Sequence, residues 1–220
     1  SPPARSASAC WIFEELIRAP DHQAVIRLCL NPGMVLAKAP VIYLMGPSGS
    51  GKDSILRMLA ARDDAALAIA RRHITRPARP GDEDHHAVSE AAFAELERRG
   101  EFALCWRSHG LAYGIHHAEL APRERGVSVL MNGSRAYLDE ARARVDGLVP
   151  VRVAVDPARL AERLQRRGRE DSAQIARRLA RNEALAASDD AAGDIAVIHN
   201  DGTLAAAAEA LLERIRRAAG

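Results

Sequence analysis

The sequence predicts an α/β fold built on a parallel central sheet, and three observations carry that expectation. Val41 to Met45 is an unbroken apolar run of strand length, the pattern of a strand buried on both faces. Further apolar runs at Val127 to Met131, Leu148 to Val155 and Ile195 to Ile198 recur along the chain. Each is followed by a stretch with helical spacing, over 134–144, 157–167 and 203–218. Strands alternating with helices build parallel sheets, because each crossover must return the chain to the same end of the sheet.

Residues 1–39 precede this rhythm and are read as an N-terminal extension. They contain two candidate short helices, Glu14 to Ile17 and Ala24 to Leu30, and Pro32-Gly33 breaks the chain before Met34. Met34 is expected to lie close to a natural start, with a genuine N-terminal helical element as the other reading. The domain itself is expected over 40–218. Its first strand leads into Gly46 to Gly51, after which Ile55, Leu56, Leu59 and Ala60 mark a helix face. Region 72–118, rich in Arg, His and Gly, interrupts the alternation and reads as an inserted substrate-binding lobe. The last helix carries an apolar stripe of Leu204, Ala208, Leu211, Leu212 and Ile215.

Composition closes several function classes. Of 31 Lys and Arg residues only Lys38 and Lys52 are lysines, and 29 Asp and Glu interleave with them, so no basic nucleic-acid face is expected. Aromatics at 4% leave little for stacking on single strands. No apolar run approaches the ~20 residues that span a bilayer. Cys10, Cys29 and Cys105 are odd in number and widely spaced, so neither a disulfide framework nor a zinc knuckle is expected, and a reducing cytoplasm is. The pairs His85-His86 and His116-His117 lack the cysteine or HExxH spacing of a zinc site.

Gly46-Pro47-Ser48-Gly49-Ser50-Gly51-Lys52 fits GxxxxGK between a buried strand and a helix, the context in which that motif cradles nucleotide phosphates. The glycines let successive N–H groups turn inward, and the helix N-terminus adds dipole and unbonded donors. Lys52 supplies a compact charge that a planar guanidinium cannot copy, which accounts for a lysine in an arginine-dominated chain. The next residue is Asp53, where a hydroxyl residue usually meets Mg²⁺. A carboxylate binds Mg²⁺ directly or through water, so Asp53 is the expected metal residue. Ser54 would have to act from about 100° further round the helix.

Beyond this loop the chain resembles the guanylate kinases over about residues 40–215. The segments that carry the resemblance are Thr75-Arg76-Pro77-Ala78-Arg79-Pro80-Gly81, Val88-Ser89, Gly100-Glu101-Phe102, His109-Gly110 and Tyr113-Gly114. Arg163-Leu164, Arg167-Gly168, Ile175, Arg178-Leu179 and Asn200-Asp201 continue it. The resemblance implies a three-layer P-loop kinase fold, with ATP and Mg²⁺ as cofactors. It implies that Arg76, Arg79 and Tyr113 hold the acceptor phosphate, that a lid over about 163–178 brings Arg167 and Arg178 to the donor, and that Asn200 belongs to the nucleotide site. Arg163 is a further candidate in that lid.

The departures redirect the substrate. Where guanylate kinases read guanine this chain has Leu104, Arg72, Ile115 and His85. A base facing Leu104 would lose a charged acceptor, at about 1–3 kcal/mol. Together with GPSGSGKDS, HITR, GSRA and RGRE, the pattern resembles the ribose 1,5-bisphosphate phosphokinases of phosphonate catabolism. That resemblance implies transfer from ATP to the C1 phosphate of a sugar bisphosphate, giving 5-phosphoribosyl 1-diphosphate. Arg72, alone or with His73, Arg107 or His109, is then expected at the 5-phosphate. Asn132 either orients substrate or caps the turn after its strand, and Phe102 and Trp106 are read as core. Two rival readings are a nucleoside monophosphate kinase of altered base preference and a non-catalytic guanylate kinase-like binding module. Oligomeric state is not readable from the sequence.

Overall fold

Strand β1 (Val41–Met45) is buried at every residue and occupies the middle of a five-stranded parallel sheet. In the computed structural model, residues 38–78, 83–168 and 171–220 are described. The sheet order is β2 (Leu67–Ile69), β7 (Ser128–Asn132), β1, β8 (Leu148–Ala154) and β9 (Ala196–His199). The crossovers are helical: α1 (Lys52–Ala60) follows β1, α4 (Leu138–Arg144) follows β7, and α7 (Leu204–Ala219) closes the chain. Because successive strand residues face opposite sides, β1 feeds two cores. Ile42 and Leu44 pack with Ile55 and Leu59 of α1 and Leu211 and Ile215 of α7. Tyr43 and Met45 pack with Leu138 and Ala141 of α4 and with Leu104, Trp106 and Ile115 of the inserted lobe. The three layers are the expected ones.

The lobe is a second sheet, ordered β4 (His85–Ala87), β3 (Arg72–Ile74), β6 (Leu111–His116) and β5 (Phe102–Ser108). Helix α2 (Glu90–Arg98) packs Phe93 against Phe102, and the short α3 (His117–Leu120) leads back towards β7. Phe102 and Trp106 are core residues, as read. The region expected as a lid is a helix pair, α5 (Pro157–Arg167) and α6 (Ser172–Ala192). Asp156 caps α5 ahead of Pro157, and Asp171 with Gln174 forms a capping box on α6.

Several boundaries differ from the sequence reading. Strand β7 begins one residue later and includes Asn132, and the stretch from 134 opens as a 3-10 turn (Arg135–Tyr137) before α4. Helix α6 runs far past the expected lid end at 178. Strand β2 is an addition: three apolar, half-buried residues, too short a run to read as a strand, form one by pairing with β7. The candidate helices at 14–17 and 24–30 lie outside the described residues.

The turn after β7 is set by close approach. A Cβ on Gly133 would lie 2.2 Å from the Tyr43 ring, so only glycine fits there. The Tyr43 hydroxyl donates to the Ser134 carbonyl at 3.0 Å and accepts from the Ser134 amide at 2.9 Å. Burial lifts its pKa to about 12, so it stays a donor. Tyr43→Phe strands two backbone groups and is expected to cost about 1–3 kcal/mol in urea unfolding; an unchanged midpoint would show that water replaces the hydroxyl.

Candidate active site

The phosphate loop leaves β1 at Gly46 and enters α1 at Lys52. Its turns use positive φ at Gly46 (146°), Gly49 (91°) and Gly51 (92°), a region that side chains strain to enter. Space demands glycine as well: a Cβ at Gly46 would stand 2.6 Å from the Val153 carbonyl oxygen, and one at Gly51 would stand 2.4 Å from the Asn200 amide. Lys52 curls back under the loop, donating to the carbonyls of Gly46 at 2.7 Å and Pro47 at 3.0 Å. Asn200 is buried and donates to the Ser50 carbonyl at 2.7 Å. Its side chain therefore shapes the loop from beneath.

The metal alternatives separate by direction. The Ser54 hydroxyl accepts from Arg57 at 3.3 Å on the exposed face of α1. Asp53 instead turns towards β7, where its Oδ1 accepts from Asn132 Nδ2 at 3.1 Å. The same Asn132 nitrogen donates to Glu83 Oε2 at 2.6 Å. Glu83 Oε1 receives Arg72 Nε and Nη2, both at 2.5 Å. The Arg72 guanidinium lies 4.8 Å over the Tyr113 ring and 5.9 Å from that of Trp106, which itself stacks on Tyr113. Asp53, Asn132, Arg72 and Tyr113 thus meet in one connected cluster, in which the Asn132 side chain has partners on both sides. The donor beside the loop is carboxylate oxygen, from Asp53, the chemistry that suits Mg²⁺.

On the other flank, Arg167 at the end of α5 donates to the Ser48 hydroxyl at 3.1 Å, so this lid arginine reaches the phosphate loop. Arg163 donates to the Asn200 carbonyl at 2.8 Å, and Gly49 abuts Leu160 and Leu164 of α5. Arg76 lies in the turn after β3 and Arg178 in the second turn of α6. Arg79 lies outside the described residues. Arg107, a candidate for the 5-phosphate, is engaged elsewhere by Glu97 at 2.5 Å on the exposed side of β5.

Two acids went unnoticed in the sequence. Glu83 is 8% exposed at the heart of the cluster. Asp189, on the last turns of α6, is 1% exposed and accepts from Arg135 while lying 3.5 Å from Arg152. Neither belongs to a spaced motif; the acidic run at 82–84, inside an Arg- and His-rich lobe, was the one signal for Glu83. His73 is the other displaced candidate. It stacks on His86 at 4.6 Å, with His116 at 6.0 Å, and burial pushes its pKa down. Among the described residues no cluster of three or more His, Cys, Asp or Glu is arranged to hold a metal ion.

Comparison with known proteins places this geometry. The guanylate kinase family model matches residues 38–217. The ribose 1,5-bisphosphate phosphokinase of Pantoea vagans is 48% identical over 168 residues, covering 76% of this chain and 92% of its own. That of Pseudomonas paraeruginosa is 47% identical, covering 78% and 92%. That of Laribacter hongkongensis is 43% identical over 204 residues; it covers 88% of this chain, which spans about half (48%) of that relative's length. The guanylate kinase of Anaplasma phagocytophilum superposes with a TM-score of 0.57 at 19% identity, covering 84% of this chain and 88% of its own, a likeness of fold.

Dehydration beneath the loop lowers the Lys52 pKa to about 8, against the pull of Asp53 and Glu83. Anion binding requires the charged ammonium, so nucleotide binding is expected to weaken as pH rises through 8. The limiting slope is about tenfold in Kd per pH unit. Calorimetric titration of ATP between pH 6.5 and 9.5 checks this, and a Kd that stays level up to pH 9.5 would place the lysine's pKa in the ordinary range.

Proposed function

The chain belongs to the guanylate kinase family, and from that premise we propose that it phosphorylates the C1 phosphate of ribose 1,5-bisphosphate with ATP, giving 5-phospho-α-D-ribose 1-diphosphate. The observation that carries this choice of acceptor is that two of the lobe positions where guanylate kinases read guanine lie in the apolar core. Leu104 and Ile115 are completely buried among Tyr43, Met131 and Trp106, so neither offers a polar group to a purine. The cation on the same sheet, Arg72, suits a second phosphate instead. Likeness to relatives bearing this activity in their names supports the reading.

In the proposed reaction both partners are anions, so the barrier is mainly positioning and charge neutralisation. Gly46 to Gly51 turn amides onto the donor phosphates, with Ser48 at the rim, Ser50 buried within the loop, Ser54 on the outer face of α1 beside Arg57, and Asn200 holding the loop. Lys52 leaves its carbonyl partners for the β- and γ-phosphates. Arg167, already at Ser48, and Arg178 meet the charge of the transferring group. Arg76, Arg79 and Tyr113 hold the reacting C1 phosphate, with Asn132 orienting the acceptor, and Arg72 holds the 5-phosphate. Asp53 would hold Mg²⁺, which when bound offsets charge between the donor phosphates. Residues 40–218 form the catalytic domain and 1–39 an extension, in an enzyme of the cytoplasm acting on a small molecule rather than on nucleic acid or membrane.

A coupled assay should show turnover of ribose 1,5-bisphosphate with ATP, with direct detection of the diphosphate product, and little with GMP. Faster turnover of GMP would overturn the acceptor assignment. Lys52→Ala and Arg178→Ala should each lower kcat by on the order of 10²-fold, as loss of one electrostatic donor does elsewhere. Arg72→Ala should raise KM for the bisphosphate far more than for GMP; an equal rise would remove Arg72 from the 5-phosphate.

A further inference from the structure

Glu83 belongs to none of the recognised motifs, yet it is the hinge between the two halves of the site. Its Oε1 takes both Arg72 donors at 2.5 Å and its Oε2 takes the Asn132 amide at 2.6 Å, at 8% exposure. Asn132 spends the same nitrogen on Asp53 at 3.1 Å. The two carboxylates also decide which way the Asn132 amide faces, because only its NH₂ end can donate to them. A continuous polar path therefore runs from the lobe strand β3, through the loop before β4 and the end of β7, to the first turn of α1. Arg72 gains a fixed orientation from it: the carboxylate holds one edge of the guanidinium while the Tyr113 ring lies 4.8 Å beneath its face.

We propose that Glu83 is a positioning residue that couples the acceptor side of the site to the phosphate loop, by fixing Arg72 and Asp53 through Asn132. The acceptor side is named on the reading above, but the coupling is a property of this chain's own residues. An anion that draws on Arg72 loosens its hold on Glu83, so Oε2 and Asn132 readjust and Asp53 changes partner strength. Buried polar networks behave this way because each bond polarises its neighbour in a low dielectric. Linkage makes the effect reciprocal, so charge removed at Arg72 must be felt by a nucleotide at Asp53.

The test is a double-mutant cycle read by calorimetric binding of Mg²⁺ with a non-hydrolysable ATP analogue, which needs no acceptor. Kd is measured for the wild type, Arg72→Gln, Asp53→Asn and the double variant. The same four are then made in Glu83→Gln and in Asn132→Ala backgrounds. The expected result is a departure from additivity of about fivefold, the lower end of measured couplings, falling to within twofold in both backgrounds. Additive effects in the wild type would overturn the proposal. So would coupling that survives Asn132→Ala, since through-space attraction alone persists there. The two backgrounds cut the path at different bonds, so one that fails to fold, as judged by thermal melting, leaves the other to decide.

Kinetics add a second readout. Glu83→Gln should raise KM for ribose 1,5-bisphosphate by tenfold or more with a smaller change in kcat, whereas a lowered KM would make Glu83 a competitor for Arg72 and sink the positioning role. If the wild type does not turn over ribose 1,5-bisphosphate, the acceptor assignment fails while the binding cycle still decides the role of Glu83.

Discussion

Turning a backbone loop so that its amides face one point leaves the carbonyls on the outside, and each of them needs a donor. Here Lys52 serves the carbonyls of Gly46 and Pro47, and Asn200 serves that of Ser50. Much of the fold follows from satisfying this loop. Asn200 stands at the end of β9, so β9 must lie close enough to deliver it, and Val153 of β8 presses its carbonyl against Gly46. The lid helix α5 is held in turn, through Arg163 on the Asn200 carbonyl and Arg167 on Ser48. A ligand that recruits Lys52 breaks two of these bonds and reaches the rest of the set.

The arginine surplus of the chain resolves into two populations. Several of the described ones are surface partners of nearby acids, such as Arg98 with Glu95 and Arg144 with Glu140, worth a few tenths of a kcal/mol each. A few are half-buried and matched to buried acids. Arg72 with Glu83 ties β3 to the loop before β4, from which Glu83 reaches Asn132 of the parallel sheet, and Arg135 and Arg152 with Asp189 join the far end of α6 to the strand ends. Such pairs add little net stability but are costly to break, about 3–5 kcal/mol when one partner is lost. They act as specifiers of arrangement, which a site assembled from a sheet, a lobe and a helix pair requires.

The site combines opposite charges at short range. Asp53 and Glu83 offset Lys52 and Arg72 within one cluster, while burial pushes Lys52 towards its neutral form. Two phosphate-bearing substrates would add negative charge to this balance, and Arg167, beside Ser48, stands where it could offset some of it. The kinase family that this chain belongs to solves an electrostatic problem more than a bond-making one, and this arrangement is consistent with that.

Periodicity alone located β1, β8, α5 and α7, because a buried strand needs an apolar run and an amphipathic helix needs a 3.6-residue stripe. The spacing of the phosphate loop was equally legible, since glycine is the residue whose backbone can turn amides inward there. The apolar character of Leu104 and Ile115 was legible too, and their complete burial agrees with it. Glu83 and Asp189 were not legible, because their partners stand 11, 49 and 54 residues away in the chain, at Arg72, Asn132 and Arg135. Strand β2 was hidden for the same reason: a run of three residues is too short to declare a strand until β7 lies alongside. The sequence by itself determined the local chemistry, namely which backbone bends and which lysine waits there. Only the tertiary structure decided which carboxylate neutralises which arginine, because charge pairing depends on distance in space and leaves no periodic trace along the chain.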